Sequence, residues 1–260
     1  MISKEQITII TRLYIYTFYI IIFIKKNNYT HDYIIMLFSV DTENKIIFGW
    51  SAKCGFSHII NIYRFLRDNS IDIRTNNIVN ILPNDIENYT TIIITRNPYK
   101  RIISGFLDKY RIGGQYRHLW KYDDITFSIF VDELVKNNWA IIDHHHFTPQ
   151  TTEGFDMKIL NSKCLKFYDI EKIDYNYIEN LYNTIIPESV LHKKEGHERG
   201  NYNISIDKYV YDLNMDEYLY YNVDIKYFYN EELKNKIFEF YKNDFIFFNE
   251  NGIDYINSTF

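Results

Sequence analysis

The run Thr91–Lys109, TIIITRNPYKRIISGFLDK, changes its structural grammar within a few residues. Thr91 to Thr95 are all β-branched, the composition of a strand covered on both faces. Arg96-Asn97-Pro98 ends that run, and Pro98 suits the first turn of a helix, where its missing N–H leaves no bond unmade. Beyond it Ile103, Phe106, Leu107 and Tyr110 recur at helical spacing and supply an apolar face. Arg96 is thereby placed at the carboxyl end of a buried strand, where open α/β sheets receive their ligands. Arg101 and Ser104 are three residues apart and share one face of the helix. Arginine offers a planar fork for phosphate oxygens; serine offers a short donor at fixed reach.

The same grammar occurs upstream. Lys45 to Trp50 (KIIFGW) reads as a buried strand, Ser51 to Ser57 (SAKCGFS) as a loop, and Ile59, Ile62, Tyr63 and Leu66 as one face of an amphipathic helix. In such a unit the loop N–H groups and the positive end of the helix dipole face one small volume, which attracts anions. Gly55 permits close backbone approach there. Lys53 brings a mobile charge, and Ser57 a hydroxyl that also suits a helix cap. The spacing is not G-x-x-x-x-G-K-S/T, so a nucleoside-triphosphatase loop does not fit.

Further along, Thr126–Val135, Glu171–Tyr182 and Glu231–Tyr241 read as helices and Leu165–Tyr168 as a strand. Strands alternating with helices predict an α/β fold, a mainly parallel sheet flanked by helices. No repeat or Pro/Gly/Ser linker divides the 260 residues, so one domain over 41–260 is expected, preceded by an extension over 1–40. Residues 195–216 read as loop. Within the extension, Leu13–Ile24 is apolar and is followed by Lys25 and Lys26, but Arg12 interrupts the approach to spanning length. A packed helix or strand, a loose extension and a membrane anchor remain open readings. The net charge of −5 argues against a surface devoted to nucleic acid and leaves room for a local basic pocket. Two cysteines, Cys54 and Cys164, provide neither a disulfide framework nor a C-x-x-C zinc site.

Arg96, Asn97, Pro98, Arg101 and Ser104 meet every specified position of R-D/N-P-x-x-R-x-x-S, and this run closely resembles the 3′-phosphate motif of sulfotransferases. Its aromatic-rich helix, continuing to a lysine, looks like the carbohydrate branch of that family. Lys53 to Ser57 is similar to the family's 5′-phosphosulfate loop, P-K-x-A/G-x-S/T, with Ala52 where the family has proline. Asp143–Gln150 (DHHHFTPQ) resembles a family loop in which His146-Phe147 and Pro149-Gln150 fit best. Leu165–Glu171 is similar to the strand and acidic turn that follow, and Tyr241–Phe245 to a Y-x-x-D-F ending. The likeness runs from about Lys45 to Tyr255.

The resemblance implies a P-loop-like sulfotransferase fold that takes 3′-phosphoadenosine 5′-phosphosulfate (PAPS) as co-substrate and releases PAP. It also implies a hydroxyl-bearing acceptor, with a glycan favoured, and no required metal. Lys53 would stabilise the departing phosphate, beside Cys54, Gly55, Phe56 and Ser57 on the 5′ side. Arg96 and Ser104 would hold the 3′-phosphate with Arg101 in support, and Lys193 and Arg199 would belong to a late basic loop over the nucleotide. His146, then His144, are the candidate general bases, histidine having the pKa for the work; many family members use a glutamate instead. An N-terminal anchor would match Golgi members of the family, and a cytoplasmic protein is the alternative. Two rivals stand beside this reading: a nucleotide-binding module of the same fold without turnover, and another phosphate-binding α/β enzyme such as a kinase. The kinase would need a Walker-type loop and a magnesium-holding acid, neither of which the sequence carries.

Overall fold

The computed structural model describes residues 36–67, 78–79, 82–151, 157–191 and 204–257. The apolar stretch 7–24 and the basic residues Lys193 and Arg199 lie outside them. Among the described residues no helix is long and apolar enough to cross a membrane.

Strands β1 (Met36–Asp41) and β2 (Ile46–Ser51) are followed by α1 (Phe56–Leu66), β3 (Ile78–Val79), β4 (Thr90–Thr95) and α2 (Pro98–Lys109). Then come α3 (Phe127–Val135), α4 (His144–Phe147), β5 (Cys164–Asp169), α5 (Tyr175–Tyr182) and α6 (Glu188–Leu191). The remainder holds β6 (Ser205–Ile206), α7 (Met215–Tyr218), β7 (Asn222–Val223), α8 (Glu231–Phe240) and α9 (Lys242–Glu250). The main sheet has the order β3-β1-β2-β4-β5. β2, β4 and β5 pair in parallel, while β1 is antiparallel to both β2 and β3. Four of the five strands therefore run the same way, and the expected mainly parallel α/β sheet is present.

Side chains alternate across this sheet, as strand geometry requires. Ile46, Phe48, Trp50, Ile92 and Ile94 pack with α1 and with Ile178 of α5 on one face. Ile47, Ile93, Met36 and Phe38 pack on the other, where Phe247 of α9 joins them. A third cluster, built around Phe106, Tyr110, Phe127, Phe130 and Phe147, joins α2, α3 and α4. The buried strands hold the loops that leave their carboxyl ends.

The structure corrects five expectations. Residues 36–40, assigned to the extension by sequence, belong to the main sheet through β1. α5 begins at Tyr175 rather than Glu171, because the Asp174 side chain accepts from the Tyr177 N–H and caps it there, while Lys172 closes a turn on the Asp169 carbonyl. His144–Phe147 forms one helical turn rather than a loop, capped by Asp143 accepting from the His145 N–H. Ser57 does not cap α1: that position is Gly55, and Ser57 falls within the first turn. From the segment read as loop, Ser205–Ile206 pairs with Asn222–Val223 and Met215 begins a short helix with a complete capping box.

Candidate active site

Three parallel strands end side by side at Ser51, Thr95 and Asp169, and the residues singled out by sequence follow them. After β2 the chain turns tightly, with Cys54 N–H donating to the Ser51 carbonyl at 3.1 Å. Lys53 (φ 67°) and Gly55 (φ 86°) both occupy the left-handed region. At Gly55 a side chain is also excluded by space, since a Cβ would lie 2.3 Å from Ile170 Cδ1. The loop is thus clamped between α1 and the turn after β5.

Arg96 leaves β4 directly beside this loop. Its guanidinium donates to the Lys53 carbonyl at 3.2 Å, so the two candidate anion motifs meet. Gln150 fixes the junction: its amide oxygen accepts from the Arg96 N–H at 3.2 Å and the Cys54 thiol at 3.0 Å, and its NH2 donates to the Arg96 carbonyl at 2.9 Å. Gln150 is held in turn by the fully buried Asp244, whose carboxylate accepts from the N–H groups of Gln150 and Thr151 and from the Thr151 hydroxyl, all within 2.8 Å. Burial pushes the Cys54 thiol pKa up to about 11, so it remains protonated as a donor.

Arg101 lies beneath the site. It is 1% exposed, and it donates to the carbonyls of Ala52 at 2.9 Å and Thr148 at 2.8 Å. It therefore ties the phosphate loop to the histidine segment, and one of its terminal nitrogens makes no hydrogen bond among the described residues. Arg96 Nε is buried in the same state. Buried, unpaired guanidinium nitrogens are costly without an anion nearby. This donor set fits a nucleotide carrying phosphate at both ends. Ser104 is half-buried on α2. One turn further along, Asp108 forms an ion pair with the Lys53 ammonium. Burial lowers the Lys53 pKa, opposed by its hydrogen bond to Asp108.

The helical turn α4 rests on α2 at Gly105, where a Cβ would meet Phe147 Cε1 at 2.5 Å. That close approach carries His146 to the same end of α2. His146 Nδ1 is hydrogen-bonded to the Asp143 carboxylate, which leaves Nε2 to act. Burial lowers the His146 pKa, with Asp143 raising it in opposition. Burial alone would raise Asp143, but the hydrogen bond and charge of His146 outweigh it and its pKa is lowered. His144 instead stacks on Trp139, with ring centroids 4.0 Å apart.

A profile described as the sulfotransferase family matches residues 36–249. This chain belongs to the sulfotransferase family. That is a family of PAPS-dependent transferases, and it implies PAPS as donor and a hydroxyl as acceptor. No curated protein and no solved structure matches the chain. The structure of this sulfotransferase brings Lys53, Cys54, Gly55, Arg96 and Arg101 to one end of the sheet, with Ser104 one turn before Asp108 on α2 and His146 near Lys109 at the end of that helix. Sequence reasoning missed Asp108 and Asp143, and it met Asp244 only as the Asp of the Y-x-x-D-F ending, with no role given to it. The Asp-x-x-His spacing of Asp143 was visible, and it becomes informative only once that stretch is a helical turn.

Proposed function

We propose that this sulfotransferase moves the sulfuryl group of PAPS to a carbohydrate hydroxyl, with His146 as general base. The observation that supports this reading is the Arg96–Lys53 hydrogen bond, which joins the two stretches that resemble the family's 5′ and 3′ phosphate motifs. When bound, PAPS supplies the sulfuryl group and departs as PAP. Lys53 neutralises charge on the 5′ side, where the leaving oxygen gathers it. Arg96 and Ser104 hold the 3′-phosphate, the first as a charged fork and the second as a fixed donor. Gly55 and the N–H groups of Phe56 and Ser57, at the amino end of α1, face the 5′ side. Lys53 and Arg96 supply the positive charge, and no metal is called on. Asp143 holds His146 in the tautomer whose Nε2 can accept the acceptor's proton. The half-buried Trp139 stacks on His144 of this turn, and the half-buried Trp120 packs on Tyr110, which meets Phe147; aromatic faces of this kind suit sugar rings.

A thermal-shift comparison tests the donor: PAP should raise Tm more than AMP or ATP at equal concentration, by mass action on the folded state. Equal shifts from all three would overturn the assignment. Arg96→Ala and Ser104→Ala should each weaken PAP binding by about tenfold, the size of a charge-assisted hydrogen bond. Titration calorimetry on folded variants checks this, and unchanged affinity counts against the 3′-phosphate site.

The base has its own signature. Because the His146 pKa is lowered, the rate should hold to below the ordinary histidine range and fall only on the acid side, where Nε2 becomes protonated. Asp143 raises that pKa, so Asp143→Asn should move the acid limb to still lower pH while reducing the plateau by about tenfold. A limb that stays in place in Asp143→Asn would remove Asp143 from the mechanism.

A further inference from the structure

Asp108 stands on α2 one turn beyond Ser104, and therefore on the same helix face. Its carboxylate is paired with Lys53, across 55 residues of sequence, and both side chains are largely shielded, at 22% and 18% exposure. Two further cations flank it, Lys109 Nζ at 3.7 Å and Arg111 at 3.8 Å. These two would still compensate the carboxylate if Lys53 swung away. Lys53, in contrast, has no other hydrogen-bond acceptor for its ammonium among the described residues. Its backbone is fixed at φ 67°, so its reach is exercised through the side chain alone. An ammonium engaged with a carboxylate cannot give the same donor geometry to a phosphate.

We infer that Asp108 is a positioning residue: it holds the Lys53 ammonium across the phosphate loop between turnovers, yields it when the donor's 5′ group enters, and reclaims it as PAP leaves. This rests on the PAPS reading of the site. The exchange lowers nucleotide affinity, because every binding event must break an ion pair that the empty site enjoys. It favours product release for the same reason. The carboxylate works through Lys53 and touches neither donor nor acceptor.

The test is titration calorimetry with PAP on the full chain, in a double-mutant cycle. Asp108→Asn should bind PAP about three- to tenfold more tightly than the wild type, as expected for loss of one partly shielded ion pair. It should also lower KM for PAPS together with kcat, because PAP leaves more slowly. Asp108→Glu, which keeps the carboxylate, should return affinity toward the wild-type value. In a Lys53→Met background the Asp108→Asn change should have no effect, which separates competition for Lys53 from direct repulsion of the nucleotide. Asp108→Ser carries the same measurement if Asp108→Asn does not fold. A purely structural Asp108 would weaken binding when replaced, and equal or weaker binding in Asp108→Asn or Asp108→Ser overturns the inference. Tightening that persists without Lys53 overturns it equally, in favour of repulsion. Both outcomes leave the PAPS reading standing, whereas failure of the wild type to bind PAP would remove that reading as well.

Discussion

Lys53→Ala is expected to lower kcat by about 10²–10³-fold while changing PAP affinity only several-fold. The split follows from where the charge is needed. On the proposed reading the 5′ group would also meet loop N–H groups and the amino end of α1 in the ground state, so one lost ammonium would cost little binding. As the sulfur–oxygen bond breaks, the bridging oxygen gains charge, and a group that strengthens its contact only then acts on kcat. Alanine keeps an L residue at φ 67°, so the substitution adds no backbone strain of its own. Steady-state kinetics with saturating PAPS, beside titration with PAP, measures both quantities. Turnover that survived intact would leave Lys53 as a mere ligand of Asp108.

The second large effect is on stability. Asp244→Ala should destabilise the fold by about 3 kcal/mol or more, because it orphans the N–H groups of Gln150 and Thr151 and the Thr151 hydroxyl in a buried setting. For a domain of this size that is roughly a 6–12 °C fall in Tm. Release of Gln150 also frees the Arg96 backbone and the Cys54 thiol it holds, so PAP affinity should fall alongside stability. Calorimetric melts and PAP titration below the new Tm would check the pair of effects. A variant with unchanged Tm would mean that Gln150 is positioned by other contacts.

The units that carry the phosphate motifs were legible because each declares itself locally. Thr90–Thr95 and Ile46–Ser51 are short apolar, β-branched runs, and each is followed by a turn signal and a helical repeat. β1 was not legible, since Ser39 and Asp41 break its apolar character. Both are buried, and Asp41 is tolerated there because Arg67 pairs with it at 3.1 Å. Lys53, Gly55, Arg96 and Ser104 were singled out as candidates for the same local reason. Asp108 was not, and Asp244 was matched without a role, because their meaning lies in partners 55 and 94 residues away, which no spacing rule reports. Arg101 was recognised as a cation, but only the fold shows that it faces backbone carbonyls under the loop.

The burial of Cys54 makes the nucleotide loop chemically silent. A thiol held neutral inside the protein is a poor nucleophile, and alkylating reagents act on thiolates that solvent can reach. Modification of this side chain must therefore wait for the loop to lift from Gln150, so its labelling rate is a clock for how often the empty cradle breathes open, and ligands that occupy the cradle would slow it.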